Sequence, residues 1–303
     1  MILGLRIDVC TYEGLRVGVP NLLPLLARSG ARASFFVALG PDRSGRAVSQ
    51  VLRPGFLAKM RRTQAVRTYG WRTVLSGTLL PARYATDLAE ILRAIPAGGH
   101  ELAMHGYDHR RWQDRLLRMP EAEVRAELTR AGRAYEQVTG GRPQGFGAPG
   151  WQCSASSLRV LEEFGLAYAS DARGRHPFFP RVGGARLRTL QLPTTFPTLD
   201  EVVGLAGMDG KAFLALIGRG LARDPWPVLT LHAELEGRRY LWVAETLLAR
   251  CAGRGVRCLP LAEVAEAVRA AGDERIPAAD VTGRPIRGRA GRVAVPVGLE
   301  PHE

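Results

Sequence analysis

Residues 104–112 read MHGYDHRRW: two histidines, His105 and His109, stand four apart around Asp108, directly behind the apolar run 101–105. If that run is a strand, both histidines lie at its C-terminal end, where they could be metal ligands or merely polar caps. The rest of the chain decides what must stand beside them. Short apolar or alternating runs recur at 3–9, 33–39, 145–149, 167–171, 189–193, 227–232 and 256–259. Stretches with apolar residues three and four apart separate them, at 19–26, 121–138, 156–164, 200–203, 211–221, 241–251 and 262–270. Pro120 with Glu121 and Glu123 is a helix start, and Gly140-Gly141 a stop. Strands alternating with helices imply parallel βαβ units, and seven or eight of them closing on themselves make a barrel.

On this scheme Asp8 ends the first strand, and His105 and His109 follow the third. FGAPGW (146–151) ends the fourth, Asp171 closes the fifth, and His232 ends LTLH (229–232). All fall at the C-terminal ends of strands, the face on which a β/α barrel builds its active site. A lone histidine at a strand end is more often a structural hydrogen-bonder, and Asp8 alone could cap a helix. Five such residues at one end favour a site. Asp108 is either the partner of a ligand imidazole N–H or a turn former.

Hydrophobic residues make up 46% and charged residues 23% of the 303, enough apolar surface for a large core. No apolar run reaches the roughly 18–20 residues a membrane span needs. MILGLRIDVC has neither the basic start nor the long apolar stretch of a signal peptide. Cys10, Cys153, Cys251 and Cys258 are irregularly spaced, which reads as reduced thiols and a cytoplasmic setting. After about residue 271 the hydrophobic periodicity ends. The expected organisation is a catalytic barrel over 1–271 and a disordered tail over 272–303.

The net charge of +13 has a location. No acid occurs between Asp42 and Asp87, a gap that holds nine bases, among them Arg61, Arg62 and Arg67. Phe56, Tyr69, Trp71 and several leucines interleave with them. Three readings stand: an anionic membrane surface, which takes arginines at its phosphates and rings at its interface; a solvated excursion; or nucleic acid.

RIDVC (6–10), ASFF (33–36), HGYDH (105–109), FGAPGW (146–151) and LTLH (229–232) together resemble the polysaccharide deacetylase superfamily, metal-dependent carbohydrate de-N-acylases. GLRIDV, YGWRTVLSGT (69–78), SDARG (170–174), QLPTTFPTLDEVVG (191–204) and LTLHAELEG (229–237) are similar to a deformylase branch of it. That branch acts on a formamido-arabinose carried on undecaprenyl phosphate, in lipid A modification. The resemblance spans about 2–270 and implies a distorted (β/α)7 barrel with 43–83 as a basic interfacial insertion.

Position by position, the resemblance implies Asp8 as catalytic base, His232 as general acid, and His105 and His109 as metal ligands. Where the family has a ligand aspartate this chain has Cys10. It is either a thiolate that tilts the site toward zinc, with cobalt or manganese as alternatives, or a small buried residue with Asp8 or water completing the shell. Gly147 stands where the family has an arginine that orients the base. Trp151, Arg173 and Glu234 are expected to contact substrate, Arg173 at the phosphodiester and Glu234 at the sugar. Arg61, Arg62, Arg67 and Trp71 are expected at the membrane, on the cytoplasmic face of the inner membrane. No nucleic-acid partner is expected. Two other readings remain: a de-N-acetylase of another amino-sugar, and an inactive member that binds a lipid-linked sugar.

Overall fold

The computed structural model describes residues 1–46, 73, 75–205, 207–289 and 291–300. All eight expected strands are present: β1 (Ile2–Val9), β2 (Ser34–Val37), β3 (Glu101–Met104), β4 (Gly145–Phe146), β5 (Tyr168–Ala169), then β8 (Leu190–Gln191), β9 (Val228–His232) and β10 (Arg257–Leu259). Two short strands, β6 (Phe179–Val182) and β7 (Ala185–Arg186), intervene unannounced by the sequence pattern. Every ladder among the eight is parallel, in the order β10-β1-β2-β3-β4-β5-β8, with β9 also on β1. β1 is therefore the hub, meeting β10 through residues 2–4, β9 through 4–8 and β2 through 6–9.

Between β8 and β9 there is no strand ladder among the described residues. Thr195 N–H instead donates to Val228 O at 2.9 Å, and Val228 N–H donates to Thr195 Oγ1 at 3.0 Å. That bridged seam is the distortion in the ring of seven strands.

Period-two alternation sorts the side chains of each strand. Leu3, Leu5, Ile7 and Val9 of β1, with Phe35 and Val37 of β2 and Leu229 and Leu231 of β9, pack into the larger core under the helices. The other parity faces the barrel interior, where Phe36, Ala103, Tyr168, Leu190 and Val228 make a second cluster. Arg6, Asp8, Ser34 and Thr230 share that inward parity and are buried. A run of polar side chains on one face of buried strands is costly unless each is partnered. They are partnered: Arg6 by Asp8 and Ser170, Ser34 by Glu101 and the Leu261 N–H, and Thr230 by Thr194.

The outer helices follow the expected pattern, including Glu121–Thr139, which stops at Gly140 in the left-handed conformation. Helices Ala89–Ala97 and His109–Arg115 were not anticipated. Asp108 caps the second of these, accepting Arg111 N–H at 2.9 Å, and pairs with Arg43 at 2.5 Å. Of its two readings the turn-former one holds. The neck of the basic insertion is pinned where Asp42 N–H donates to Arg83 O (2.8 Å) and Gly45 N–H to Ser76 O (2.9 Å). Arg61, Arg62, Arg67 and Trp71 lie outside the described residues.

The expectation of a disordered tail over 272–303 is corrected. β11 (Ala278–Pro285) and β12 (Arg292–Pro296) form an antiparallel hairpin, and β11 adds in parallel to β6. Val293 and Val295 bury against Trp151, with Ile286 packed on them. The tail lacks helical periodicity because it is a hairpin, with Val293 and Val295 on one strand face and Ala294 on the other, packed with Ala172, Phe178 and Ala279.

Candidate active site and metal centre

β1 and β9 are paired so that Asp8 and His232 are register partners at the C-terminal ends of both strands. Adjacent parallel strands point register partners to the same side, so one carboxylate and one imidazole share the mouth of the barrel. His105 follows β3 and His109 opens the helix His109–Arg115 one turn later. Cys10, two residues past Asp8, keeps its parity and points into the same mouth.

Asp8 is gripped by a residue the sequence reading passed over. Arg6 Nε donates to Asp8 Oδ1 at 2.6 Å and Nη2 to Oδ2 at 2.9 Å. Nη1 donates to Ser170 Oγ at 3.0 Å and to Ser170 O. The guanidinium has 0% exposure and lies 4.8 Å from the Phe36 ring centroid and 5.4 Å from that of Trp151. A β-carbon at Gly147 would come within 3.0 Å of Arg6 Cζ and 2.7 Å of Phe36 Cδ1. The missing side chain at 147 is thus the space Arg6 occupies. Parity carried the clue, since Arg6, Asp8 and Cys10 share one face of an otherwise apolar strand. Burial alone would raise the Asp8 carboxyl, but Arg6, His105 and His232 outweigh it and hold it at about 2.

The ligand atoms of Cys10, His105 and His109 all lie within 4.8 Å of one another, the one such group among the described residues. His105 Nδ1 sits 2.7 Å from Gly147 O, so it carries the hydrogen and leaves the Nε2 lone pair facing Cys10 Sγ at 3.7 Å. Fixing the tautomer from behind is what a ligand imidazole requires. Burial lowers His105 to about 4, and burial with the neighbouring His105 takes His109 well below the usual imidazole range. Both rings are neutral donors at neutral pH. Burial and the Glu234 and Asp8 carboxylates push the Cys10 thiol well up, so only a cation beside it would make it a thiolate. Two neutral imidazoles and one ionisable thiol form a donor set that fits a divalent ion such as zinc.

His232 N–H donates to Glu236 Oε2 at 2.9 Å, and the His232 ring stands edge-on to Trp151 at 6.4 Å between centroids. His232 Nδ1, Glu236 Oε1, Glu234 Oε2 and Asp171 Oδ1 are buried without a hydrogen-bond partner. Buried polar atoms left unmet at several strand ends fit a site built for a polar occupant. Burial raises Glu236 and Asp171 each to about 7.

Two expected substrate contacts, Arg173 and Trp151, are corrected, and Glu234 commits one of its two oxygens to the protein. Arg173, 3% exposed, gives Nη1 to both Glu201 oxygens (2.8 and 3.0 Å) and Nη2 to Phe196 O (2.6 Å). With its donors engaged inside the protein, it is not free for a phosphodiester. Trp151, 1% exposed, donates Nε1–H to Thr194 Oγ1 at 3.1 Å and forms the wall behind His232 instead of a contact surface. Glu234 Oε1 accepts Cys10 N–H and Thr11 N–H, both at 2.9 Å, and the Thr11 hydroxyl at 3.0 Å. That oxygen supports the loop carrying Cys10.

Residues 5–169, more than half of the chain, match the polysaccharide deacetylase family. The chain belongs to that family. A Shewanella sediminis protein named "Probable 4-deoxy-4-formamido-L-arabinose-phosphoundecaprenol deformylase ArnD" is 37% identical over 262 residues, 86% of this chain and 85% of its own. A Wigglesworthia glossinidia brevipalpis protein of the same name is 29% identical over 282 residues, 93% of this chain and 97% of its own. A solved structure from Mycobacterium smegmatis, described as a polysaccharide deacetylase, superposes with a TM-score of 0.66 at 23% identity, covering 94% of both chains. The deacetylase fold and a hydrolase acting on a carbon–nitrogen amide bond follow from family membership. Among the described residues no helix is long and apolar enough to cross a membrane.

Asp171 gives a pH test of this polar interior. Its folded-state value of about 7 lies above the ordinary 3.8, so the folded protein holds an extra proton between them. The stability tied to that proton is fully present below about 3.8 and is lost as pH rises toward 7. Asp171→Asn should flatten the fall in melting temperature between mildly acidic and neutral pH. A variant that loses as much as the parent over that range would contradict the assignment.

Proposed function

We propose that this chain hydrolyses the formamide of 4-deoxy-4-formamido-L-arabinose carried on undecaprenyl phosphate, leaving formate and the free amino-sugar lipid used in lipid A modification. The observation that carries the reading is the convergence of Asp8, Cys10, His105, His109 and His232 on one barrel mouth. It occurs in a chain 37% identical to a protein named for that reaction.

Cys10, His105 and His109 would hold the divalent ion, with zinc preferred because a thiolate is a soft donor. Such an ion supplies electrophilic pull on the formyl oxygen and lowers the pKa of a water beside it. Asp8, kept ionised and aimed by the two-pronged Arg6 contact, takes the proton of the attacking water. His232, beside Asp8 on the neighbouring strand, delivers a proton to the departing amine, and Glu236 fixes its backbone. Glu234 holds Cys10 and Thr11 in place from behind.

The basic segment supports a peripheral place on the anionic inner face of the membrane, where the lipid-linked sugar lies. Nine bases and no acid fall between Asp42 and Asp87, and the insertion's neck reaches the metal motif through the Arg43–Asp108 pair.

Mass spectrometry of the purified protein with formamido- and acetamido-arabinose lipid phosphates and added metals tests the substrate. Loss of the formyl group is expected; preferential loss of acetyl would replace the deformylase reading. His232→Ala should lose turnover while retaining metal, and Cys10→Ala should lose metal affinity sharply. Cys10→Asp should still bind and accept manganese or cobalt more readily. A Cys10→Ala variant that binds zinc and turns over normally removes the thiolate from the shell.

Membrane attachment is tested by co-sedimentation with anionic vesicles. Binding should weaken with salt, since charges are screened over about 8 Å near physiological ionic strength. Reversing Arg61, Arg62 and Arg67 to glutamate should release the protein; unchanged binding leaves only a solvated surface.

A further inference from the structure

Trp151 is held in a conformation its sequence does not favour. Its φ of 52° is left-handed, the one non-glycine case among the described residues, and it follows Gly150 at 63°. For a bulky aromatic residue this conformation is strained and persists only where the surroundings over-determine it. Part of that constraint comes from the barrel: Thr194 accepts the indole N–H, and the Arg6 and Arg173 guanidinium carbons lie 5.4 and 4.8 Å from the ring centroid. The remainder comes from the C-terminal hairpin, beyond the segment that matches the family. Val293 and Val295 bury against the indole, and Arg289 Cζ sits 4.6 Å from its centroid.

Arg289 is itself tethered. Its Nη1 is 3.4 Å from Glu201 Oε1, the carboxylate that Arg173 grips, and its side chain is only 10% exposed. The turn that delivers it approaches so closely that a β-carbon on Gly288 (φ 80°) would fall 1.8 Å from Glu201 O. Further along, Arg173 N–H donates to Ala294 O at 2.8 Å, locking the hairpin to the strand-end loops.

We propose that Arg289 is a positioning residue for the amide hydrolysis: the C-terminal hairpin, through Arg289 on Trp151, sets the indole against which the His232 ring stands. The inference rests on the reading of His232 as the proton donor. Trp151 neighbours both halves of the proton-transfer pair: the His232 ring stands T-shaped to it with centroids 6.4 Å apart, and the guanidinium of the Arg6 that aims Asp8 lies 5.4 Å from its centroid. An indole free to rock would loosen both together, and misplacement of a catalytic group by about an ångström can cost on the order of a hundredfold in rate.

The test is a double-mutant cycle on the full chain loaded with zinc. Arg289→Ala should lower kcat about tenfold, with KM and bound metal unchanged, because a cation–π contact of this kind carries about the energy of a tenfold rate effect. Arg289→Lys, which keeps the charge and loses the planar stack, should fall between. In a Trp151→Phe background the same Arg289→Ala change should cost less than about twofold, since the residue it acts through has already been altered. A wild-type kcat in Arg289→Ala, or an undiminished loss in the Trp151→Phe background, overturns the proposal. The carbon-bound ring protons of His232, assigned by NMR with His232→Gln, give a readout independent of turnover, because they sit in the ring current of Trp151. Those resonances should move in Arg289→Ala and, less far, in Arg289→Lys. If the wild-type protein hydrolysed neither lipid, the function reading would fail while these shifts still decided the positioning role; unmoved resonances would refute it.

Discussion

Everything at the mouth of this barrel is arranged around the two-pronged contact of Arg6 with Asp8. A guanidinium and a carboxylate removed from water are costly to desolvate, and an intact buried pair adds little net stability. Breaking one is another matter, with losses of about 3–5 kcal/mol when a partner is left alone. What the pair contributes is a carboxylate fixed in direction and kept ionised inside an apolar ring. The surroundings serve that end: Ser170 takes the third guanidinium nitrogen, Phe36 and Trp151 face the guanidinium, and Gly147 leaves the space.

The same economy explains the buried acids nearby. Glu234 and Glu236 each commit one oxygen to backbone N–H groups of the loops that carry Cys10 and His232. Their second oxygens have no partner, as has Asp171 Oδ1. The site is thereby rigid from behind and polar in front, the form expected of a preorganised hydrolytic centre.

Much of this could be read from the chain alone. The eight parallel strands, the C-terminal face and the grouping of His105, His109, Asp8 and His232 follow from period-two and period-3.6 patterns, because each depends on local burial. Arg6 was legible in principle, for it shares parity with Asp8 in an apolar strand. Arg173 was not: its fate depends on Glu201, 28 positions away and brought near only by the fold. Trp151 and the tail are linked, since the indole is covered by a hairpin whose strand, RVAVP at 292–296, is a short apolar run with no helical period.

Arg6 keeps Asp8 ionised and aimed. Carbon-13 NMR of the Asp8 carboxyl, compared between the parent and Arg6→Met, measures it without reference to any substrate. Asp8 in the parent should show no titration anywhere above about pH 4, because its folded value is held at about 2. In Arg6→Met burial is no longer offset by the guanidinium, so the same resonance should titrate at distinctly higher pH. An Asp8 signal that stays ionised over the same range in both proteins would rule out Arg6 as the group that holds the carboxylate ionised.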